Sequence, residues 1–163
     1  MSPDELKRVA EDRSRSHRQA GHPGRWVKPD LRNGLGDYIG LLGEREFSKR
    51  YSVPLDLSQK LSGDGGADGY IRTIYGRFNW DVKTFRKPVR LLVDADCCHS
   101  RTIYVLGRFY EATESVELIG WQWGKLLIEN EPRDYGRCGI ISYGLMAESL
   151  RTMKELDEVV IWS

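Results

Sequence analysis

The sequence is poor in several features that would assign it to a large class at once. It holds three cysteines, two of them adjacent at Cys97 and Cys98. Neither the odd number nor the spacing fits a disulfide framework or a CxxC metal knuckle, so free thiols are expected. Cys97, Cys98 and His99 do stand beside Asp94 and Asp96, but vicinal cysteines rarely share a metal and no second Cys/His pair follows. No apolar run approaches the roughly 18 residues of a membrane span. The opening MSPDELKRVAEDRSRSHRQ has no apolar segment after its charges, as a secretory signal would, and a cytosolic home is expected. There is no internal repeat, no low-complexity run and almost no net charge, at +1.

What is present suits one globular domain. A chain of about 150 residues removes roughly 68–70% of its unfolded surface from water, and 163 residues that are 40% hydrophobic, with five Trp and eight Tyr, are enough for a sizeable core. The charge is unevenly spread. Residues 1–33 carry eight Lys or Arg against five acids. The stretch RSRSHRQAGHPGRWVK places Arg15, Arg18, Arg25 and Lys28 near His17, His22 and Trp26. That mixture suits phosphate contacts with base stacking, and equally a solvated helix with a frayed loop.

A first helix is predicted from Ser2 to Ala20, with Ser2 as cap and Asp4 and Glu5 in the first turn, ended by Gly21, Pro23 and Gly24. In LGDYIGLLGEREFSKRY, Leu35, Tyr38, Ile39 and Leu42 recur at helical spacing. Gly36, Gly40 and Gly43 fall on one face of that second helix. Each costs about 0.8–1.0 kcal/mol relative to Ala, so a close approach to that face is expected. A strand from Asp68 to Tyr75, a turn at Gly76 and a strand from Arg77 to Phe85 read as a hairpin. The segments RTIYVLGRFYEA and SVELIGWQW read as strands, GKLLIEN as a short helix, Leu145–Leu156 as one helix and Val159–Trp162 as a last strand. The predicted fold is α/β, a mixed central sheet flanked by helices, with residues 1–33 as a basic helical arm and linker and 34–163 as the main domain.

The strand FNWDVK carries the chemistry. Successive side chains point to opposite faces, so Phe78, Trp80 and Val82 form an apolar face while Asn79, Asp81 and Lys83 share the other. Glu44 on the second helix, Asp68 at the start of the preceding strand, and Asp81 are expected to converge at one end of the sheet as hard oxygen ligands suited to Mg²⁺ or Mn²⁺. Lys83 reaches the same side, where it can orient and help deprotonate an attacking water. Asp64 is the rival of Asp68, but it is enclosed by glycines in SGDGG, a turn or flexible loop.

GLLGEREF, ADGY and WDVKT, in that order, resemble the active-site pattern of the PD-(D/E)xK nucleases, the restriction-endonuclease-like fold that includes phage nucleases and Holliday junction resolvases. Ala67 stands where the family's name has proline. The resemblance covers roughly Leu35 to Leu156. It implies that Glu44, Asp68 and Asp81 are metal ligands, with the Val82 carbonyl as a further one, and that Lys83 is the catalytic lysine. It also implies DNA as substrate and a bacterial, archaeal or virus-infected cytoplasm as the setting. Arg72, Arg86 and Lys87 join the arm's cations as expected nucleic-acid contacts, because a long polyanion rewards spread cations. Cutting both strands of a duplex favours a two-fold dimer. The alternative is a non-catalytic nucleic-acid-binding or assembly protein in which Asp81 and Lys83 form a surface ion pair.

Overall fold

A computed structural model of the chain describes residues 1–19, 34–57, 67–137 and 139–162. Helix α1 (Pro3–Gln19) opens with a reciprocal cap, in which the Ser2 side chain accepts the Glu5 N–H at 3.3 Å while the Glu5 carboxylate accepts the Ser2 N–H at 2.6 Å. Pro3 fits the first helical position because its missing N–H has no intrahelical partner there. Helix α2 (Leu35–Tyr51) starts after Gly34, which adopts the left-handed φ of 79°. Leu6 and Ala10 of α1 are buried with Tyr38, Ile39, Leu41 and Leu42 of α2 and with Phe109. The first helix is therefore packed onto the second. The expected boundary at residue 33 lies outside the described residues.

Strand β1 (Gly69–Thr73) pairs antiparallel with β2 (Gly76–Phe85), as the hairpin reading requires. After β3 (Arg90–Asp94), β4 (Thr102–Tyr110) runs parallel to β2, and β5 (Ser115–Trp123) returns antiparallel to β4. The order β1-β2-β4-β5 makes a mixed open sheet. Past the short α3 (Gly124–Leu127), β6 (Arg133–Asp134) and β7 (Ile141–Met146) join β3 in a second, antiparallel sheet ordered β3-β7-β6. Helix α4 (Met153–Val159) follows a capping box of Thr152 and Glu155.

These elements stack in layers. One face of the larger sheet buries Trp80, Val82, Ile103, Val105 and Trp121 under Phe47 and Tyr51 of α2 and Met153 and Leu156 of α4. The other face packs Tyr104 and Leu106 against Leu91 and Val93 of the smaller sheet. Both edges of the larger sheet are occupied. Val160 bridges Thr73 and the Ile161 N–H bonds the Arg72 carbonyl, while Trp121 and Arg151 exchange two bonds of 3.0 Å. Among the described residues no helix is long and apolar enough to cross a membrane.

Two expectations are corrected. Residues 145–156 are not one helix: Ile141–Met146 is a strand paired with β3, Ala147–Ser149 is a 3-10 turn, and the helix begins only at Met153. Leu145, Leu150, Met153 and Leu156 imitate helical spacing, yet the Thr152 cap marks the true start. In place of a last strand, only the single bridge at Val160 forms. The glycine face is close-packed at one position only. Among the described residues a Cβ on Gly36 or Gly40 would meet nothing within 4 Å, whereas one on Gly43 would come within 2.0 Å of the Thr84 hydroxyl and 3.1 Å of Val82.

Gly43 thus sets how closely α2 lies on β2. Gly43→Ala should destabilise the fold by about 1–3 kcal/mol through overpacking, despite a helix-propensity gain of about 0.8–1.0 kcal/mol. Thr84→Ala in the same chain should recover most of the loss. Urea denaturation of the two single variants and the double variant measures both effects, and a neutral Gly43→Ala contradicts the tight contact.

Candidate functional site

The site forms where β1 stops. The β1–β2 register ends at Gly69 opposite Trp80, and the Asp68 N–H still reaches the Trp80 carbonyl at 2.8 Å. Beyond it, among the described residues, β2 has no backbone partner on that side, and the Asp68 carboxylate accepts the Val82 N–H at 2.9 Å. In an extended strand a residue's N–H and C=O point the same way, so the Val82 carbonyl is directed toward this same open edge. Asp81 continues β2 on the face opposite Trp80 and Val82, is only 3% exposed, and holds Lys83 Nζ at 2.7 Å.

Glu44 enters from α2, 9% exposed, adjacent in sequence to the glycine that lets the helix approach Val82. Its Oε1 lies 3.4 Å from the Arg13 guanidinium, which also donates to the Asp56 carbonyl at 2.7 Å. Sequence reasoning counted Arg13 only as part of a basic arm. Its signal was available, since Leu6, Ala10 and Arg13 fall at i, i+4 and i+7 on one helix face. Asp94, at the end of β3, also acts electrostatically on Asp81 and Lys83, and is itself paired with Arg137.

The electrostatics are those of a site with surplus negative charge. Burial raises the Glu44 carboxyl above its ordinary value, with Arg13 opposing and Asp81 reinforcing the shift. Asp68 is raised well above its ordinary value by burial and then by Asp81 and Glu44, against the pull of the Val82 N–H and Lys83. Asp81 is raised by burial despite Lys83. Burial pulls Lys83 down, but Asp81, Asp68 and Asp94 outweigh it, so it is held as an ammonium.

Glu44 and Asp81, both buried, and the half-buried Asp68, facing two cations, fit a divalent cation by charge and by hard-oxygen chemistry. Among the described residues no three His, Cys, Asp or Glu side chains form a ready-made metal cage. Instead, an oxygen of Asp81 is engaged by Lys83 and one of Asp68 by Val82.

A groove of about 650 Å³ adjoins Asp68 and is lined by Tyr70, Arg72 and Arg77. Arg72 and Arg77 are direct cross-strand partners, an arrangement of like charges that destabilises a hairpin, and Arg77 lies 3.9 Å from the Tyr70 ring centroid. Among the other expected nucleic-acid contacts, Lys87 is exposed, Arg86 pairs with Glu111 at 2.9 Å, and Arg15 lies 3.7 Å from Asp12. Arg25, Lys28, Asp64 and the side chain of Arg18 lie outside the described residues. The Cys97–His99 stretch follows a 3-10 turn (Ala95–Cys97) and is strapped by Tyr104, whose hydroxyl accepts the His99 N–H and donates to the Cys97 carbonyl. No family model, no curated protein and no solved structure matches the chain.

Arg13→Gln should leave Glu44 buried beside Asp81 without its cation. The unfolded carboxyl ionises near 4.5, and the folded one, already raised, would rise further. At pH 4 both states carry the neutral acid and the variant should lose little stability. As pH rises the unfolded chain ionises first, so the loss should grow to about 1–3 kcal/mol by pH 8. Urea denaturation in EDTA at the two pH values checks this, and a loss independent of pH excludes the Arg13–Glu44 coupling.

Proposed function

We propose that the protein is a metal-dependent nuclease hydrolysing phosphodiester bonds in DNA. The observation that carries this reading is the gathering of Asp68, Asp81 and Lys83 just past the last described β1–β2 pair, with Glu44 beside them. The order of helix, hairpin and parallel strand supports a restriction-endonuclease-like core, and the WDVKT resemblance supports the roles within it. Glu44, Asp68, Asp81 and the Val82 carbonyl would hold Mg²⁺ or Mn²⁺. A bound ion of this kind neutralises charge on the phosphate and activates water.

The chain's own groups do the rest. Lys83, 2.7 Å from Asp81, orients the attacked phosphate and attacking water and steadies developing negative charge. Arg13 keeps Glu44 aimed at the site. Arg72 and Arg77 offer the groove beside Asp68 to the phosphate backbone, where their mutual repulsion is relieved by a polyanion.

Asp81→Asn should bind DNA yet cleave very little, and EDTA should stop the unmodified protein. Incubation with Mg²⁺ and a panel of single strands, duplexes, flaps and four-way junctions reads both the activity and the preferred substrate. Undiminished cleavage by Asp81→Asn removes the assignment. Lys83→Ala should keep metal affinity and lose rate by about 10²–10⁴-fold, the usual weight of one positioned catalytic donor. Lys83→Arg, which preserves the charge, should recover part of it. Binding without cleavage in every metal and substrate condition would favour the non-catalytic alternative.

A further inference from the structure

A second feature lies on the same side of the sheet as Asp81 and Lys83. Side chains alternate along β2, so Phe85 shares their face. Phe85 opens a cleft of about 530 Å³ whose cations are Lys87, Arg90 and Arg133. The guanidiniums of Arg90 and Arg133 lie 4.8 and 4.9 Å from the centroid of one ring, Tyr135. That ring lies close over β7 at Gly144, where a Cβ would come within 2.5 Å of it. The two charges are thus held together on a fixed platform although they repel.

Nothing in the described residues neutralises them. The side chains of Lys87, Arg90 and Arg133 make no ion pair or hydrogen bond with any described residue. The acid lining the cleft, Asp134, is turned into its own loop, where it accepts N–H groups from Gly136, Arg137 and Gly139 at 2.8, 2.9 and 2.9 Å. Arginine offers five donors in a planar fork and lysine three. Such donors without acceptors, gathered in a cleft, suit phosphate oxygens.

The strands also measure the distance from this cleft to the candidate active site. Phe85 is two residues beyond Lys83, about 7 Å along β2 at about 3.3 Å per residue. Strand β3 begins at Arg90 in the cleft and ends at Asp94 beside Asp81 and Lys83, about 13 Å away by the same rise. At about 3.4 Å of helix axis per nucleotide in one strand of a duplex, that separation is some two to four nucleotides.

We infer that the Lys87–Arg90–Arg133 cleft is a phosphate-binding subsite that holds the nucleic-acid strand a few nucleotides from the bond positioned at Asp81 and Lys83. The inference rests on the nuclease reading and deepens it by giving the strand's direction, from the Asp81–Lys83 site toward the cleft beside Tyr135.

The test uses the full chain carrying Asp81→Asn, in EDTA, and measures binding to a labelled duplex by fluorescence anisotropy from 50 to 300 mM salt. Adding Arg90→Gln and Arg133→Gln should reduce the log–log salt slope by about 1.8, twice the value of about 0.9 per duplex phosphate contact, and weaken binding at every salt concentration. Lys154→Gln, an exposed cation on α4, is the control and should leave slope and affinity unchanged. Circular dichroism melts confirm that each variant is folded. Unchanged slope in the double variant, or an equal fall with Lys154→Gln, overturns the subsite while leaving the nuclease reading standing. Failure of the parent chain to bind duplex or single-stranded DNA overturns both.

Discussion

A strand that buries Trp80 and Val82 on one face has to place Asp81 and Lys83 on the other, and here that second face is not open water. The smaller sheet covers much of it, so both charges are partly withdrawn from solvent and must answer one another. Taking a carboxylate out of water is costly unless it is paired and hydrogen-bonded. The surroundings look organised around that demand: Lys83 on Asp81, the Val82 N–H on Asp68, and Arg13 on Glu44. Each acid has one partner, and together they still carry more negative charge than their neighbours cancel. Stability alone does not recommend such an arrangement, because apolar residues of similar volume would fill the space without the penalty.

Among the described residues the β1 ladder reaches no further along β2 than Trp80, which leaves the Val82 N–H to the Asp68 carboxylate. Had β1 continued alongside Asp81–Phe85, its backbone would have consumed the Val82 N–H and C=O and closed the edge. Stopping opposite Trp80 exchanges that ladder for a carboxylate. The packing of α2 is tied to the same place, because the absent side chain of Gly43 lets the helix approach Val82 and Thr84 and so brings Glu44 to the rim.

Period-two alternation exposed the odd face of β2 in the sequence, and the segment SVELIGWQW, read as a strand, is β5, Ser115–Trp123. The hairpin was legible because its turn carries glycine, at Gly76. Contacts between elements were not. Nothing local distinguishes Arg13 from the other cations of its helix except its spacing from Leu6 and Ala10, and that spacing has meaning only once α2 is known to lie beside it. The 141–146 strand was obscured because the apolar residues of a helix that begins seven residues later, at Met153, continue its rhythm, and because its partner β3 lies some fifty residues earlier, beyond the reach of any local pattern. Gly36 and Gly40 show the reverse error, a helical stripe that looks like a contact and among the described residues meets none.

The bonds at either end of α4 bear on how the sheet can open. Arg151, just before the helix, is bonded to Trp121 on β5, and Val160, just after it, lies opposite Thr73 of β1 between two bonds, from the Ile74 N–H to Val159 and from the Ile161 N–H to Arg72. A seven-residue helix spans about 10 Å, and the outer strands of a four-stranded sheet lie about 14 Å apart. The helix and its flanking residues therefore act as a clasp from one margin of the sheet to the other. Neither margin presents a free row of donors and acceptors to a passing strand at these points, and peeling away either outer strand must first undo a fastening made on the far side of the core.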